Sequence, residues 1–571
     1  MNTTTIVLIG SIIYIITYFT YGKYIKNRII RGAKKKEVPS KRLYDGIDFV
    51  PANRYVLFGH HFASIAGAAP IVGPIIALAW GWLPALLWVW FGNILIGAVH
   101  DYLSLISSIR YDGHSIQWIA GRVIKERAGK IFSWFVLFVL ILLIAAFAAI
   151  IGKLHVDQPS VPTVYLLTIL IALFLGYLLY KRKMSFTMAT LICLSLLIIS
   201  IIGGYFLPIT LSYTSWMIIL FLYIIIASSL PVNLLLQPRD YLNAWLLVIN
   251  LTFAGIIMLF SFKFLNFPYV TTFSAKVVNN LNSPFWPVIP LIVACGSLSG
   301  FHALVASGTT SKQISDEGDA QFIGYGAMLV EGFLSTVVIA IVAAFSTLNI
   351  NVNDKLAFAS GYISAINESG GPVSVFAKGF GNAANYLFGL PTDIIVILAS
   401  LWVASFALTT LDTANRLARY ALVEICEPLK ESNTPFYKFI TNRLIASTLP
   451  AILGITLAWS GAWSMLWPSF GGANQMLASI ALITAAGWVI RVQKKNAFFV
   501  LIPALLLWAT VSAALIWYLC GPIVKFFTYA PFQAAILGTI TIIMLVLNFI
   551  LIYDFYRPEK HLLKMFENEN V

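Results

Sequence analysis

Apolar runs of eighteen or more residues recur along the whole length of this chain, each long enough to carry an α-helix across a bilayer. In hydrocarbon every backbone N–H and C=O must be satisfied within the protein, so only helices and closed barrels cross it. Of the 571 residues 59% are hydrophobic and 11% charged, roughly half the charged fraction of a soluble domain. The expected fold class is an all-α integral membrane protein. Fifteen spans are predicted, at roughly 6–22, 62–80, 83–108, 131–151, 162–180, 186–207, 214–235, 241–264, 285–308, 322–347, 393–418, 443–459, 465–490, 497–519 and 532–553.

A net charge of +14 would suit nucleic acid in a soluble protein, but here it first reports topology. The first run, 6–22, has an uncharged N-terminal flank and no small-residue cleavage site. It is expected to stay as a peripheral first helix. Lys23, Lys26, Arg28 and Lys34–Lys36 follow it, which places the N-terminus outside and a basic segment, 23–54, in the cytoplasm. Of the 37 Lys and Arg residues, all but Lys153, Lys263, Lys276, Lys355, Lys378 and Lys525 then fall inside. The loops from Arg122 to Lys130, Lys181 to Lys183, Arg416 to Arg443 and Arg491 to Lys495 are internal, as is the tail 554–571. The expected partners are a small-molecule substrate and membrane lipid, with no nucleic acid. The four cysteines show no CxxC or Cys/His metal spacing, so no metal or disulfide is expected. No P-loop is present, which argues against ATP-driven transport in this chain.

Two of the spans are interrupted. Gly67, Pro70, Gly73 and Pro74 break the run at 62–80, and Cys295-Gly-Ser-Leu-Ser-Gly300 breaks the run at 285–308. A pair of broken helices in the two halves of a membrane chain points to a transporter's binding site. The second lies seven spans after the first and therefore runs the opposite way, as an inverted repeat requires. The chain reads as one membrane domain with a first half at 62–264 and a second at 285–519. An external loop, 348–392, is expected to hold short helices packed on the outer face.

Ionisable groups inside such spans demand a partner or a task. Asp101, Asp412, His302 and Glu331 fall in or near the inner half of the membrane, and His60 and His61 begin their span at its cytoplasmic end. This layering predicts one shared polar cluster. Asp101, Asp412 and Glu331 are candidate proton carriers, and the half-helix N-termini near Gly67 to Gly73 and Gly296 to Gly300 could receive a carboxylate through free N–H groups. The candidate substrate-binding residues are His61, Ser64, Gly67, Ala68, Gly296, Ser297, Ser299, Gly300 and His302. Each has a plainer role open to it: His60 snorkelling to the headgroups, Asp101 pairing with Arg110, Asn93 serving as helix glue. Asn93, Thr409 and Thr410 are also candidates for the polar lining. Ser64 near His61 and Ser299 near His302 are a weak hydrolase signal, and no enzyme is expected.

The stretches Phe58-Gly-His-His-Phe-Ala-Ser-Ile-Ala-Gly67, Gly92-Asn-Ile-Leu-Ile-Gly-Ala-Val-His-Asp-Tyr102, Gly296 to Lys312 and Ala407-Leu-Thr-Thr-Leu-Asp-Thr-Ala-Asn-Arg416 together resemble the carbon-starvation protein A family. Asn474-Gln475 belongs to the same pattern, and the motifs add His100, Asn474 and Gln475 to the candidate lining. The resemblance implies a secondary transporter of the bacterial or archaeal cytoplasmic (inner) membrane. Its broken-helix inverted-repeat core would be similar to that of the amino acid–polyamine–organocation superfamily. It implies uptake of a peptide or of a pyruvate-like carboxylate, by proton symport, in the starvation response, without a cofactor beyond the coupling ion. Sodium is the competing ion, with Ser297, Thr409, Thr410 and carbonyls near Ala68 as its oxygen ligands. A membrane nutrient sensor that binds without transporting is the alternative of a different class.

Overall fold

The computed structural model describes residues 1–30, 37–230, 236–432, 434–459 and 463–557. Lys34–Lys36, the end of the 214–235 span and residues 558–571 of the basic tail lie outside the described residues. Eleven described helices are long and apolar enough to cross a membrane, or thirteen when two sharply bent pairs each count as one span. These pairs are Arg54–Ala66 with Ala69–Trp80, bent by 41°, and Thr434–Ile440 with Arg443–Ala458, bent by 62°. Helix Tyr213–Ser229 and the interrupted pair Phe285–Ile292 and Gly300–Gly308 fall on the two remaining predicted spans. The all-α membrane class stands, with one small addition. Ser274–Val278 and Leu281–Pro284 form an antiparallel hairpin, and Ser283 O accepts a 3.0 Å hydrogen bond from Trp80 Nε1.

Helix Glu126–Asp157 runs through the core, with 94% of its most apolar window enclosed by protein. A helix that is apolar all round belongs in such a core. It packs against Thr392–Cys426, Arg443–Ala458 and Trp463–Arg491. Within 348–392, helices Lys355–Glu368 and Pro372–Phe388 form. Tyr362 donates to Ile75 O at 2.9 Å, tying the first of them to the end of the first broken helix.

Both breaks occur at glycines that tolerate no side chain. Gly67 has φ +51°, and a Cβ there would lie 2.8 Å from the Phe147 ring and 2.9 Å from Thr410 Oγ1. Gly296 has φ +82°, and its Cβ would fall 2.1 Å from Ser335 Oγ. The two broken helices cross directly. A Cβ on Gly73 would meet Ile292 O at 2.7 Å, and Ser335 donates to Pro70 O at 2.8 Å beside Gly296.

Candidate functional site

The first broken helix begins at Arg54, eight residues before the start read from hydropathy, because Asn53 caps it by accepting from Tyr55 N–H at 2.9 Å. His60 and His61 therefore sit inside the protein at no more than 1% exposure. The expected position at the mouth of the span is corrected, and burial also removes the alternative of His60 snorkelling to the headgroups. The polar residues also do not form one shared cluster. They form two.

The first cluster is centred on Arg239, which lies at the start of helix Leu236–Phe260 and is fully buried. Its Nε and Nη2 donate to Asp240 Oδ1 at 3.0 and 2.6 Å. Its Nη1 donates to Asp412 Oδ2 and to Tyr223 OH at 2.5 Å. Tyr223 in turn donates to Asp412 Oδ2 at 3.0 Å, with Tyr165 OH 2.9 Å from Tyr223 OH. His60 Nδ1 lies 2.8 Å from Asp240 Oδ2. Thr409 donates to Asp240 at 3.3 Å and accepts from Asn243 Nδ2 at 3.2 Å. Thr410 donates to Ser64 O at 3.1 Å, which joins this cluster to the first break. A guanidinium held by two carboxylates satisfies its fork of donors, as a buried Arg must.

The second cluster lies at the second break. Asp101 takes His100 Nδ1 at 2.7 Å on one oxygen and His302 Nδ1 at 2.8 Å on the other. It does not pair with Arg110, which donates instead to Glu317 at 3.0 Å. Glu331 Oε1 accepts from Gly296 N–H at 3.1 Å, and its Oε2 lies 3.4 Å from His302 Nε2. His61 stands between the clusters. Its Nδ1 is 2.8 Å from Thr310 Oγ1, and it lies within electrostatic reach of Asp101, His302 and His60.

Amide side chains fasten the unwound backbone of the second break. Asn474 Nδ2 donates to Ala294 O at 2.9 Å and Ser299 Oγ at 2.9 Å, while its Oδ1 accepts from Phe301 N–H at 2.8 Å. Gln475 donates to Val293 O at 3.1 Å and Leu298 O at 2.8 Å. Asn93 donates to Gly296 O at 2.8 Å and Met328 O at 2.7 Å. Non-helical backbone at membrane depth survives only where protein satisfies it in this way. Of the N–H groups at Gly296 to Gly300 expected to be free for a carboxylate, that of Gly296 is engaged by Glu331, and the next one along, at Phe301, is taken by Asn474. Gly300 instead allows close packing, since its Cβ would lie 2.4 Å from Asn474 O. Ser297 Oγ reaches only its own turn, at Val293 O, and Ala68 is buried in the first break.

The residues that sequence reasoning missed are Arg239, Asp240, Tyr223, Tyr165 and Cys295. Arg239 had been counted among the inside charges of a loop. The adjacency Arg239-Asp240 against an apolar run was the available signal, since a paired charge at a span boundary can fold into the protein instead of facing water.

Crossed broken helices enclosing buried ion pairs define a polytopic membrane transporter fold. A solved manganese transporter mutant from Eremococcus coleocola shares this fold, with a TM-score of 0.50 at 12% identity over 90% of this chain and 99% of that one. A family model described as "Carbon starvation protein CstA" matches residues 2–514, and the chain belongs to that family. It is 33% identical to the "Peptide transporter CstA" of Bacillus subtilis strain 168, over 97% of this chain and 96% of that protein. It is 31% identical to the "Pyruvate/proton symporter BtsT" of Escherichia coli K12, over 90% of this chain and 80% of that one.

Proposed function

We propose that this chain is a secondary active transporter, not an enzyme, that imports a small organic nutrient bearing a carboxylate by proton symport. The nutrient is a peptide or a pyruvate-like acid, taken up across the bacterial cytoplasmic membrane during carbon starvation, with the N-terminus outside and the C-terminus inside. The names of its relatives support both substrates and the coupling ion.

The observation that carries the reading is the Arg239 cluster. Two carboxylates, Asp240 and Asp412, hold one guanidinium, all three side chains at 0% exposure. A substrate carboxylate can take the place of Asp412 on the Arg239 fork, because the two groups have the same shape and charge. Entry of the anion alone would add a second uncompensated charge to a buried site, at a cost of several kcal/mol. If Asp412 takes up a proton as the substrate arrives, the net charge of the site does not change. One proton then accompanies each carboxylate. Tyr223, Tyr165, His60 and Thr409 complete the polar surroundings of the exchange.

Uptake of labelled pyruvate and of a labelled dipeptide into proteoliposomes tests the reading. An inward proton gradient should drive accumulation of one or both, a protonophore should abolish it, and replacing sodium by choline should leave it unchanged. Loss of uptake in choline would move coupling to a sodium site near Ser297, Thr409 and Thr410. Binding without counterflow would identify a sensor instead.

A further inference from the structure

The second cluster holds an arrangement that proton symport at Arg239 does not use. Cys295 Sγ, a His302 ring nitrogen and a Glu331 carboxylate oxygen all lie within 4.8 Å of one another. His302 and Glu331 are fully buried and Cys295 is 3% exposed. Glu331 Oε1 is tied to Gly296 N–H at 3.1 Å, which leaves Oε2 turned toward His302. His302 Nδ1 is held by Asp101 at 2.8 Å, which leaves Nε2 turned toward Glu331. Neither His302 Nε2 nor Glu331 Oε2 has a hydrogen-bond partner. The two atoms face each other in an ion-pair contact without hydrogen-bond geometry, a buried gap that an ion could bridge.

Their separation identifies one. The two atoms stand 3.4 Å apart. A tetrahedral ion with bonds of about 2.0–2.2 Å to nitrogen and oxygen places these ligands about 3.4 Å apart. Asp101 behind His302 repeats the carboxylate–histidine–metal relay that fixes the ring and its tautomer. Thiolate, imidazole and carboxylate together select zinc or cobalt(II) over magnesium, calcium or sodium. The charged groups facing Asp101 and Glu331 here are the imidazoles of His100, His302 and His61, with Asn474 Nδ2 beside Cys295 Sγ at 3.9 Å, so a divalent cation would also balance the local charge.

We propose that Cys295, His302 and Glu331 form a buried binding site for a divalent transition metal of the zinc class, with Asp101 as the positioning residue behind His302. The sequence did not suggest it, because six residues separate the Cys from the His and the third ligand comes from another helix.

Cobalt(II) titration of the purified, chelator-stripped full chain in detergent tests the site without any transport assay. One equivalent should bind, with a thiolate-to-cobalt charge-transfer absorption in the near ultraviolet that zinc displaces. Cys295→Ser should abolish that band, whereas Cys193→Ser and Cys426→Ser should keep it. Glu331→Gln, an isosteric change, should weaken binding at least tenfold, and Asp101→Asn should weaken it about 10–100-fold. Absence of stoichiometric binding, or a band that survives Cys295→Ser, would overturn the proposal. Failure of substrate uptake would not bear on it.

Discussion

Asp412→Asn separates coupling from binding, and the structure sets what it should cost. The substitution removes one negative charge from a site in which Arg239 already pairs with Asp240 at 2.6 Å. The guanidinium keeps a carboxylate partner, and the Asn amide oxygen can still accept from it. No charge is left alone, so the fold should tolerate the change. Arg239→Met does the opposite. It leaves Asp240 and Asp412 buried without the guanidinium, with His60 and Tyr223 beside them, and breaking a buried pair from one side costs about 3–5 kcal/mol.

The functional magnitude follows from the same charge count. An imposed gradient of two pH units is worth about 2.7 kcal/mol per proton, which supports about 100-fold accumulation of a co-transported carboxylate. Asp412→Asn mimics the protonated state permanently, so Arg239 stays available to substrate but no proton is carried. Proteoliposomes with the variant should exchange labelled substrate by counterflow near the wild-type rate, while accumulation falls from about 100-fold toward about 1-fold. Accumulation by Asp412→Asn at the wild-type level would refute the assignment. So would a variant that folds yet no longer exchanges substrate, because Asp412 would then be part of the substrate grip itself.

Three further outcomes follow from individual contacts. Gly296→Ala forces a Cβ to 2.1 Å from Ser335 Oγ at φ +82°, so thermal melting in detergent should show a loss of at least about 1–3 kcal/mol; unchanged melting would contradict the geometry. Asn474→Leu orphans Ala294 O and Phe301 N–H at about 1–3 kcal/mol each, so it should melt earlier than the wild type by more than Ser297→Ala does. Tyr44→Cys and Leu356→Cys, at positions 64% and 70% exposed, should react with a membrane-impermeant maleimide from opposite sides, Tyr44→Cys from the cytoplasmic one; labelling of both from the same side would refute the assigned topology.

Hydropathy located helices well because a long apolar run has few alternatives in a bilayer. The breaks were legible for the same kind of reason: Gly67 and Gly296 occupy backbone conformations that only glycine adopts cheaply. Composition could not reveal where charged residues near span ends would go. Arg239 and Arg416 both read as loop charges, yet Arg239 closes onto Asp412 and Arg416 donates to Ala227 O at 3.1 Å inside the protein. Helix Thr392–Cys426 likewise runs eight residues beyond its hydropathic end at 418, with Arg419, Ala421 and Cys426 buried against the protein. The division into two polar clusters depends on long-range pairing, such as Asp101 with His302 and His60 with Asp240, and no local spacing encodes it.

The two breaks are not held alike, and this decides which of them opens more readily. Six hydrogen bonds from other helices fasten the second break: Gln475 to Val293 and Leu298, Asn474 to Ala294 and Phe301, Asn93 to Gly296 O, and Glu331 to Gly296 N–H. Among the described side chains, Thr410 to Ser64 O and Ser335 to Pro70 O are the corresponding bonds at the first. At about 1 kcal/mol net per bond the difference of four amounts to about 4 kcal/mol. Local opening free energies follow such differences. Amides at Gly67 and Ala68, next to the Arg239 cluster, should therefore exchange hydrogen about 100–1,000-fold faster than those at Gly296 and Phe301. Asn474→Leu should narrow the gap by loosening the second break. Equal protection of both breaks in the wild type would mean that packing at Gly67 against Phe147, and not hydrogen bonding, sets the stiffness of the core.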